Sequence, residues 1–384
     1  MRAMEALNMR FRPLVTLGAL FAVIAVYSHA QAPQSNTTNA KPRPARNVIL
    51  FLGDGTGLST INAASIHGYG EPQKLYIQHM PYLAWSETSS ASRWVTDSAA
   101  GMTAIVTGQK THNGVISQGA DAVRGVKDGR PLKTILEYAE EKGLLTGVIT
   151  NSPLADATPA ATYAHANDRA TFGQIFRYVV QPCYGDGVDV AIGPGVERII
   201  TETKTLGIDL PSVLQKKGYR YVQNDLNGIR KAADDKQRVV GLFPTAGEFD
   251  IAPATEAALK ILEGSQRGFF LMVESNNHST DIRHTLDRTV KMDKLIEKVA
   301  DRMKGTDTLI IFTADHSYDM RLSGGVAKGE SILPSMVVQG NHAGEEVLVA
   351  AQGPGAEKVR GFMRNTQLFD VMMDAYGWQK NSHR

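Results

Sequence analysis

Five short stretches of the chain are apolar almost throughout rather than alternating: Val48–Leu52, Leu145–Thr150, Phe269–Val273, Leu309–Thr313 and Val347–Ala351. Continuous apolar runs of this length mark strands covered on both faces. Helical spacing appears between them. In "PLKTILEYAEEKG" (131–143) the apolar positions Leu132, Ile135, Leu136 and Ala139 fall on one face, and Gly143 stands where a left-handed cap would end the helix. "TLDRTVKMDKLIEKVADRMKG" (285–305) repeats the pattern and stops at Gly305. Strand and helix alternating in this way predict an α/β protein, a mainly parallel central sheet sandwiched by helices. Residues 184–240 have weaker periodicity and many polar positions, and read as an insertion or lid. No internal repeat is evident.

Ligands of such sheets bind beyond the carboxyl ends of the strands, so reactive side chains should gather where each apolar run stops. Asp54 follows the first run. Asp156 and Thr158 come just after the second, Glu274 ends the third, and Asp315 and His316 end the fourth. A single acid at a strand end is commonly a helix cap or turn former; acids at four strand ends are harder to assign to capping. Carboxylates brought together repel unless cations or protons lie among them. Asp54, Glu274, Asp315 and His316 offer ligands for more than one divalent ion. Imidazole suits zinc, and the all-oxygen set Asp54, Thr158 and Glu274 suits magnesium. His342, in "GNHAGEEVLVA", is a third imidazole near a strand, or an ordinary loop histidine.

Two stretches stay open at this level. "NVILFLGDGTG" (47–57) has glycines at 53, 55 and 57, which is neither the dinucleotide fingerprint nor a phosphate loop ending in Gly-Lys-Ser/Thr. It is a glycine-rich turn after a buried strand, or a turn that presents Asp54 as a ligand. In "VTDSAAGMTAIVTG", Asp97 can cap a helix whose first residue is Ser98. Ser98 then merely starts the helix, or it is a nucleophile at the positive end of the helix dipole, where an anion also binds. No G-x-S-x-G elbow surrounds it, which argues against a serine hydrolase triad.

Composition narrows the class. The 384 residues are 42% hydrophobic and 21% charged, with a net charge of +2, the profile of a globular protein. No basic cluster with interleaved aromatics is present, so specific nucleic-acid binding is not expected. Arg2, Arg10 and Arg12 precede the apolar stretch Leu14–Tyr27, which ends in Ala30-Gln31-Ala32. That order is a secretory signal peptide over residues 1–32, followed by a flexible leader (33–46) and a catalytic domain (47–384) in the periplasm or outside the cell. The uncharged run is shorter than the roughly 20 residues of a spanning helix, so no membrane span is expected after cleavage. Cys183 is the sole cysteine, which excludes an internal disulfide and a cysteine-rich metal site.

Six segments in order, "FLGDGTG", "DSAAGMTA", "DATPAA…AHANDR", "VES", "TADH" and "NHAGE", resemble the alkaline phosphatase family over about residues 47–376. The resemblance implies that family's three-layer fold, a hydrolase of small phosphate monoesters and a phosphoserine intermediate. It also implies two zinc ions, one magnesium ion and a homodimer. Residue by residue, it implies that Asp54 bridges one zinc and the magnesium and that Ser98 is the nucleophile. Asp315 and His316 would bind the zinc that activates Ser98, Thr158 and Glu274 would complete the magnesium site, and His342 would bind the second zinc. Arg169, eleven residues after Thr158, stands where the family has a phosphate-clamping arginine, and Asp156 falls on its outer carboxylate.

The third motif departs from the family. Five and nine residues after the glutamate, where members place an aspartate and a histidine for the second zinc, this chain has Ser279 and Arg283. A deletion of five residues brings His278 into the histidine's register and leaves no equivalent aspartate. Asn276, Asn277 or a folded-back Asp281 could supply an oxygen, with His284 a weaker alternative. Loss of that carboxylate leaves room for two other functions: a phosphodiesterase or related hydrolase of the same fold, or a non-catalytic protein that binds metal or anions.

Overall fold

A computed structural model describes residues 43–379; the expected signal peptide (1–32) and most of the expected leader lie outside the described residues. Twelve strands are present: β1 (Asn47–Asp54), β2 (Tyr82–Ser86), β3 (Leu145–Thr150), β4 (Val190–Pro194), β5 (Arg220–Gln223), β6 (Val239–Phe243), β7 (Phe269–Asn276), β8 (Thr308–Thr313), β9 (Ser317–Leu322), β10 (Met336–Ala343), β11 (Val347–Gln352) and β12 (Gly361–Met363). Ten of them form one sheet in the order β12-β2-β11-β8-β1-β7-β3-β4-β6-β5, and β9 pairs with β10 separately. The sheet is parallel except at β11, which runs antiparallel to both β2 and β8. Helices cover both faces, giving the three-layer α/β arrangement that the alternation predicts.

The five apolar runs are the five consecutive central strands, β11-β8-β1-β7-β3. These are the strands most completely covered by helices and neighbours, so their sequences carry the clearest signal. Residues 184–240 depart from expectation. They are not a lid: β4 and β5, with β6 completing the set, extend the parallel sheet beyond β3. Each of these strands has only four or five residues, and glycines interrupt β4 and β6, too little for a pattern to stand out. The helix expected over 131–143 is shorter, Ile135–Glu141, because Thr134 and Glu137 form a reciprocal capping box that starts it there. The helix expected over 285–305 is Ile282–Arg302, started by Asp281.

Strand parity sorts the core into two faces. Leu50, Leu52, Phe270, Met272, Leu309 and Ile311 pack with Met102, Ile105, Ala160 and Ala161 on one face. Ile49, Phe51, Leu271, Val273, Ile310 and Phe312 pack with Ile61, Leu259, Leu286 and Leu295 on the other. The helix Ser98–Thr107 on the first face is buried along its entire length, which its small residues permit. Gly101 is the tightest point: a Cβ there would lie 2.7 Å from the carbonyl oxygen of Asp315. Among the described residues no helix is long and apolar enough to cross a membrane. Since Leu50 is fully buried in the central strand, Leu50→Ala should cost about 2–5 kcal/mol of unfolding free energy in urea titration, with secondary structure retained at zero denaturant.

Candidate active site

Register carries the acids to one place. Leu52 of β1 stands opposite Glu274 of β7 and Thr313 of β8, and Thr150 of β3 stands opposite Glu274. The same parity that turns Leu50 and Leu52 toward the helix Ser98–Thr107 therefore turns Asp54 and Glu274 the same way. Asp54, Glu274, Asp315 and His316 are all almost fully buried. Ligand atoms of Asp54, Asp315 and His316 lie within 4.8 Å of one another, with Asp54 Oδ1 3.3 Å from His316 Nε2. Gly55, at φ +72, has its missing Cβ only 2.6 Å from the Cβ of His278. The glycine after Asp54 thus lets a histidine approach the carboxylate, and the stretch is a turn that presents Asp54.

Ser98 begins its helix and Asp97 caps it, Oδ1 accepting from the Ala100 amide at 3.1 Å. Ser98 Oγ is 3.1 Å from His316 Nε2. The other oxygen of Asp97 accepts from Arg169 Nη1 at 3.1 Å, and Asp156 Oδ1 accepts from Arg169 Nη2 at 3.0 Å. Burial draws the guanidinium pKa down, but the two carboxylates more than offset this and hold it above its ordinary value. Asp156 also caps the helix Ala157–Tyr163, in whose first turn Thr158 is buried. Two helix caps thus share one arginine beside the serine. The capping pattern reveals Asp97 as a cap, while the capping by Asp156 and the joint hold of both acids on Arg169 come only from the structure.

His278 and His342 also come to this crevice. His278 Nε2 is 3.2 Å from Asp54 Oδ2, and the two imidazole rings are 5.7 Å apart between centroids. The His342 ring stacks on His316 at 3.7 Å, and its Nδ1 is 3.0 Å from the Thr96 carbonyl oxygen. His342 lies within β10, not in a loop before a strand. Asp281 does not fold back: its side chain caps Ile282–Arg302 by accepting from the His284 amide at 3.1 Å. Asn276 is also engaged elsewhere, Nδ2 donating to Ser152 Oγ and Oδ1 accepting from the His278 amide. The amide of Asn277 is held between Ser275 and Thr56. Tyr318, which the sequence did not single out, stands against His278 with ring centroids 5.1 Å apart.

The carboxylates are short of partners. Asp54 Oδ1, Glu274 Oε1 and Asp315 Oδ2 are buried without a hydrogen bond, a costly arrangement unless a cation completes it. Glu274 Oε2 does accept a hydrogen bond from Thr150 Oγ1. Burial and the neighbouring Asp54 charge raise the Glu274 carboxyl well above the usual range. Burial, with Asp54 again adding, raises Asp315 to about 6. Asp54 itself is held low: burial pulls its pKa up, and the charges of His278, His316 and His342 outweigh it. Asp54, Asp315 and His316 fit a zinc-class ion, and the buried oxygens of Asp54 and Glu274 suit an oxygen-preferring one. His278 and His342 supply two imidazoles with no carboxylate of their own.

Comparison with known proteins gives one answer. The family model described as alkaline phosphatase matches residues 45–340. Alkaline phosphatase 4 of Drosophila melanogaster is 32% identical over 357 residues, covering 76% of this chain and 59% of the fly protein. The chain therefore spans less than two thirds of that relative. Streptomycin-6-phosphate phosphatase of Streptomyces griseus is 28% identical over 440 residues, covering 93% of this chain and 96% of that one. Among solved structures, alkaline phosphatase from the Antarctic bacterium TAB5 superposes with a TM-score of 0.74 at 24% identity, over 88% of this chain and 100% of that one. The Thermus thermophilus enzyme gives 0.75 at 22% identity, over 91% and 96%. At these identities the two structures establish the fold.

The Asp54 charge, acting against burial, raises His278 from 6.5 to about 9. A raised folded-state pKa contributes stability that is complete below pH 6.5 and lost as pH rises through about 9. In chelator, the protein should therefore be about 1–3 kcal/mol less stable at pH 9.5 than at pH 6.5, and His278→Gln should flatten that difference in paired urea titrations.

Proposed function

The chain belongs to the alkaline phosphatase family, and from that premise we propose that it hydrolyses phosphate monoesters through a covalent phosphoserine on Ser98. The observation that carries the reading is Ser98 Oγ standing 3.1 Å from His316 Nε2, in a crevice where three carboxylates each keep a buried oxygen without a partner. Phosphoryl transfer asks chiefly for positioning and for charge stabilisation around the non-bridging oxygens. This chain's residues supply both.

Arg169, fixed from behind by Asp97 and Asp156, turns its remaining donors to a dianion and fixes the phosphorus in line with Ser98. The first turn of the helix Ser98–Thr107 adds its positive dipole end and stabilises negative charge on the serine oxygen. Ser98 Oγ displaces the alcohol, and the phosphoserine is then opened by water to release inorganic phosphate and restore the hydroxyl. Asp54, Asp315 and His316 would hold one zinc-class ion; His278 and His342 a second; Asp54, Thr158 and Glu274 a magnesium. Bound there, the ions would supply Lewis-acid stabilisation of the attacking and leaving oxygens. The pattern of residues 1–32 adds export to the periplasm or beyond as part of this proposal.

One observation favours a second reading. Asp281 is committed to a helix cap and Asn276 to Ser152, so the His278–His342 pair lacks its own negative ligand. Without such a ligand an ion on the two imidazoles would be held weakly, and a site that loses it has less positive charge to offer a dianionic monoester, which favours a singly charged diester.

Four measurements on the purified mature chain decide the matter. Ser98→Ala should lower p-nitrophenyl phosphate turnover by at least ~10³-fold, and unchanged turnover would end the phosphoserine reading. Arg169→Ala should lower kcat/KM by about 10–100-fold, chiefly through KM. Chelator should abolish turnover, and zinc with magnesium should restore it. Faster hydrolysis of bis-p-nitrophenyl phosphate than of the monoester would select the diester reading.

A further inference from the structure

The sheet has a second face at the same carboxyl edge, and a cavity of about 430 Å³ opens there. Its wall begins one residue beyond the hydrogen-bonded pair Thr150 and Glu274, at Asn151 and Ser275. The pleat sends Ser275 away from Glu274, so this cavity lies on the opposite side of β7 from the crevice described above. The helix Ile282–Arg302 supplies Arg288 and Lys291 one turn apart, and the segment after β6 supplies Glu248 and Phe249.

Arg288 is underused where it stands. Nη1 donates to the Asn276 carbonyl at 3.0 Å. Nε is buried without a hydrogen-bond partner, and the nearest carboxylate oxygen, Glu248 Oε1, is 4.0 Å away. That same oxygen accepts from Lys291 Nζ at 3.2 Å. One carboxylate oxygen, on a side chain that is 45% exposed, thus sits between an arginine and a lysine and satisfies only the lysine. Burial lowers the Arg288 pKa, with Glu248 alone opposing it, which is the mark of a cation short of negative charge. The other acids of the cavity are occupied: Asp250 caps the helix Ile251–Leu262, and Glu256 pairs with Lys298.

We propose that this cavity is a second oxyanion site, in which a phosphate-class dianion displaces Glu248 and takes the unpartnered Nε of Arg288 together with Lys291. A planar guanidinium with a free edge matches two oxygens of such an anion, and the adjacent ammonium supplies a third contact. The loop bearing Glu248 acts as the internal competitor that the anion replaces. Arg288 also grips the carbonyl of Asn276, two residues before His278, so an occupant is tied to the segment that carries a histidine of the crevice. The same chemistry fits free inorganic phosphate or the phosphoryl group of a small phosphate ester bound apart from the crevice.

Equilibrium dialysis of radiolabelled inorganic phosphate against the metal-loaded full chain tests the site independently of the catalytic reading. The wild type should hold two phosphates per chain. Lys291→Met and Arg288→Met should each lose one, with at least a tenfold weaker constant. Arg169→Ala should lose the other. Glu248→Gln should bind the cavity phosphate about threefold or more tightly, a gain that misfolding cannot mimic. Equal stoichiometry and affinity in wild type and Lys291→Met overturns the proposal; a catalytic reading that fails alone leaves one phosphate in the wild type and none in Lys291→Met. In the Ser98→Ala chain, glucose 6-phosphate that displaces the Lys291-dependent phosphate more tightly than unlabelled inorganic phosphate does assigns the site to a phosphate ester. Weaker displacement by the ester, with dialysis positive, assigns it to free phosphate.

Discussion

Placing Asp54, Glu274 and Asp315 within one buried crevice is the constraint on which the rest of the molecule depends. Each carboxylate keeps an oxygen without a hydrogen bond, and each raises the cost of ionising the others. Asp54 stays ionised because three histidines surround it, while burial and the Asp54 charge push Glu274 and Asp315 upward. Such a cluster is costly unless cations or protons lie among the acids, so the site favours positive charge beyond what its histidines supply. The fold meets the other half of the requirement by making the crevice rigid. β1 is paired on both sides by β7 and β8, which fixes the spacing of the acids through backbone hydrogen bonds and not through mobile side chains.

The helices on that face are held to the same tolerance. Gly101 lets the helix Ser98–Thr107 come against the Asp315 carbonyl, and any side chain there would lift Ser98 away from the acids. Arg169 is oriented by the caps of two different helices, one of them the helix that Ser98 begins, so Arg169 and Ser98 are held to one another. A buried guanidinium shared by two carboxylates is well compensated, yet keeps donors for a third anion. Arg288 on the opposite face shows the contrast: one weakly placed carboxylate and an unpaired Nε. The same side-chain type is complete in one place and open in the other.

The shortened segment after Glu274 is the feature that separates this chain from the family's usual pattern. Asp281 serves the helix Ile282–Arg302 as its cap, which stabilises the helix start and removes the carboxylate from the crevice. His278 then has Asp54 as its nearest acid. One carboxylate thus faces both His278 and His316, and the second imidazole pair carries less compensating negative charge than a private ligand would give. The electrophilicity of anything bound there, and the substrate charge it favours, follow from that difference.

Much was legible in the sequence. The five central strands declare themselves as apolar runs because burial on both faces leaves no room for alternation, and Asp54, Glu274, Asp315 and His316 follow from where those runs stop. Ser98 and Asp97 are readable as first-turn and cap positions for the same local reason: helix ends must satisfy free N–H groups. The edge strands β4, β5 and β6 were not, since strands of four or five residues, two of the three broken by glycine, leave almost no periodicity. Nor could the sequence tell what Asn276 and Asp281 do, because hydrogen bonding to Ser152 or to the His284 amide depends on how the segment turns. The sequence by itself determined which groups are available and on which strand end each one stands. Only the tertiary structure decided which of them share Asp54, that two caps clamp Arg169, and that Arg288 keeps a free edge, because those facts depend on register and distance between segments far apart in the chain.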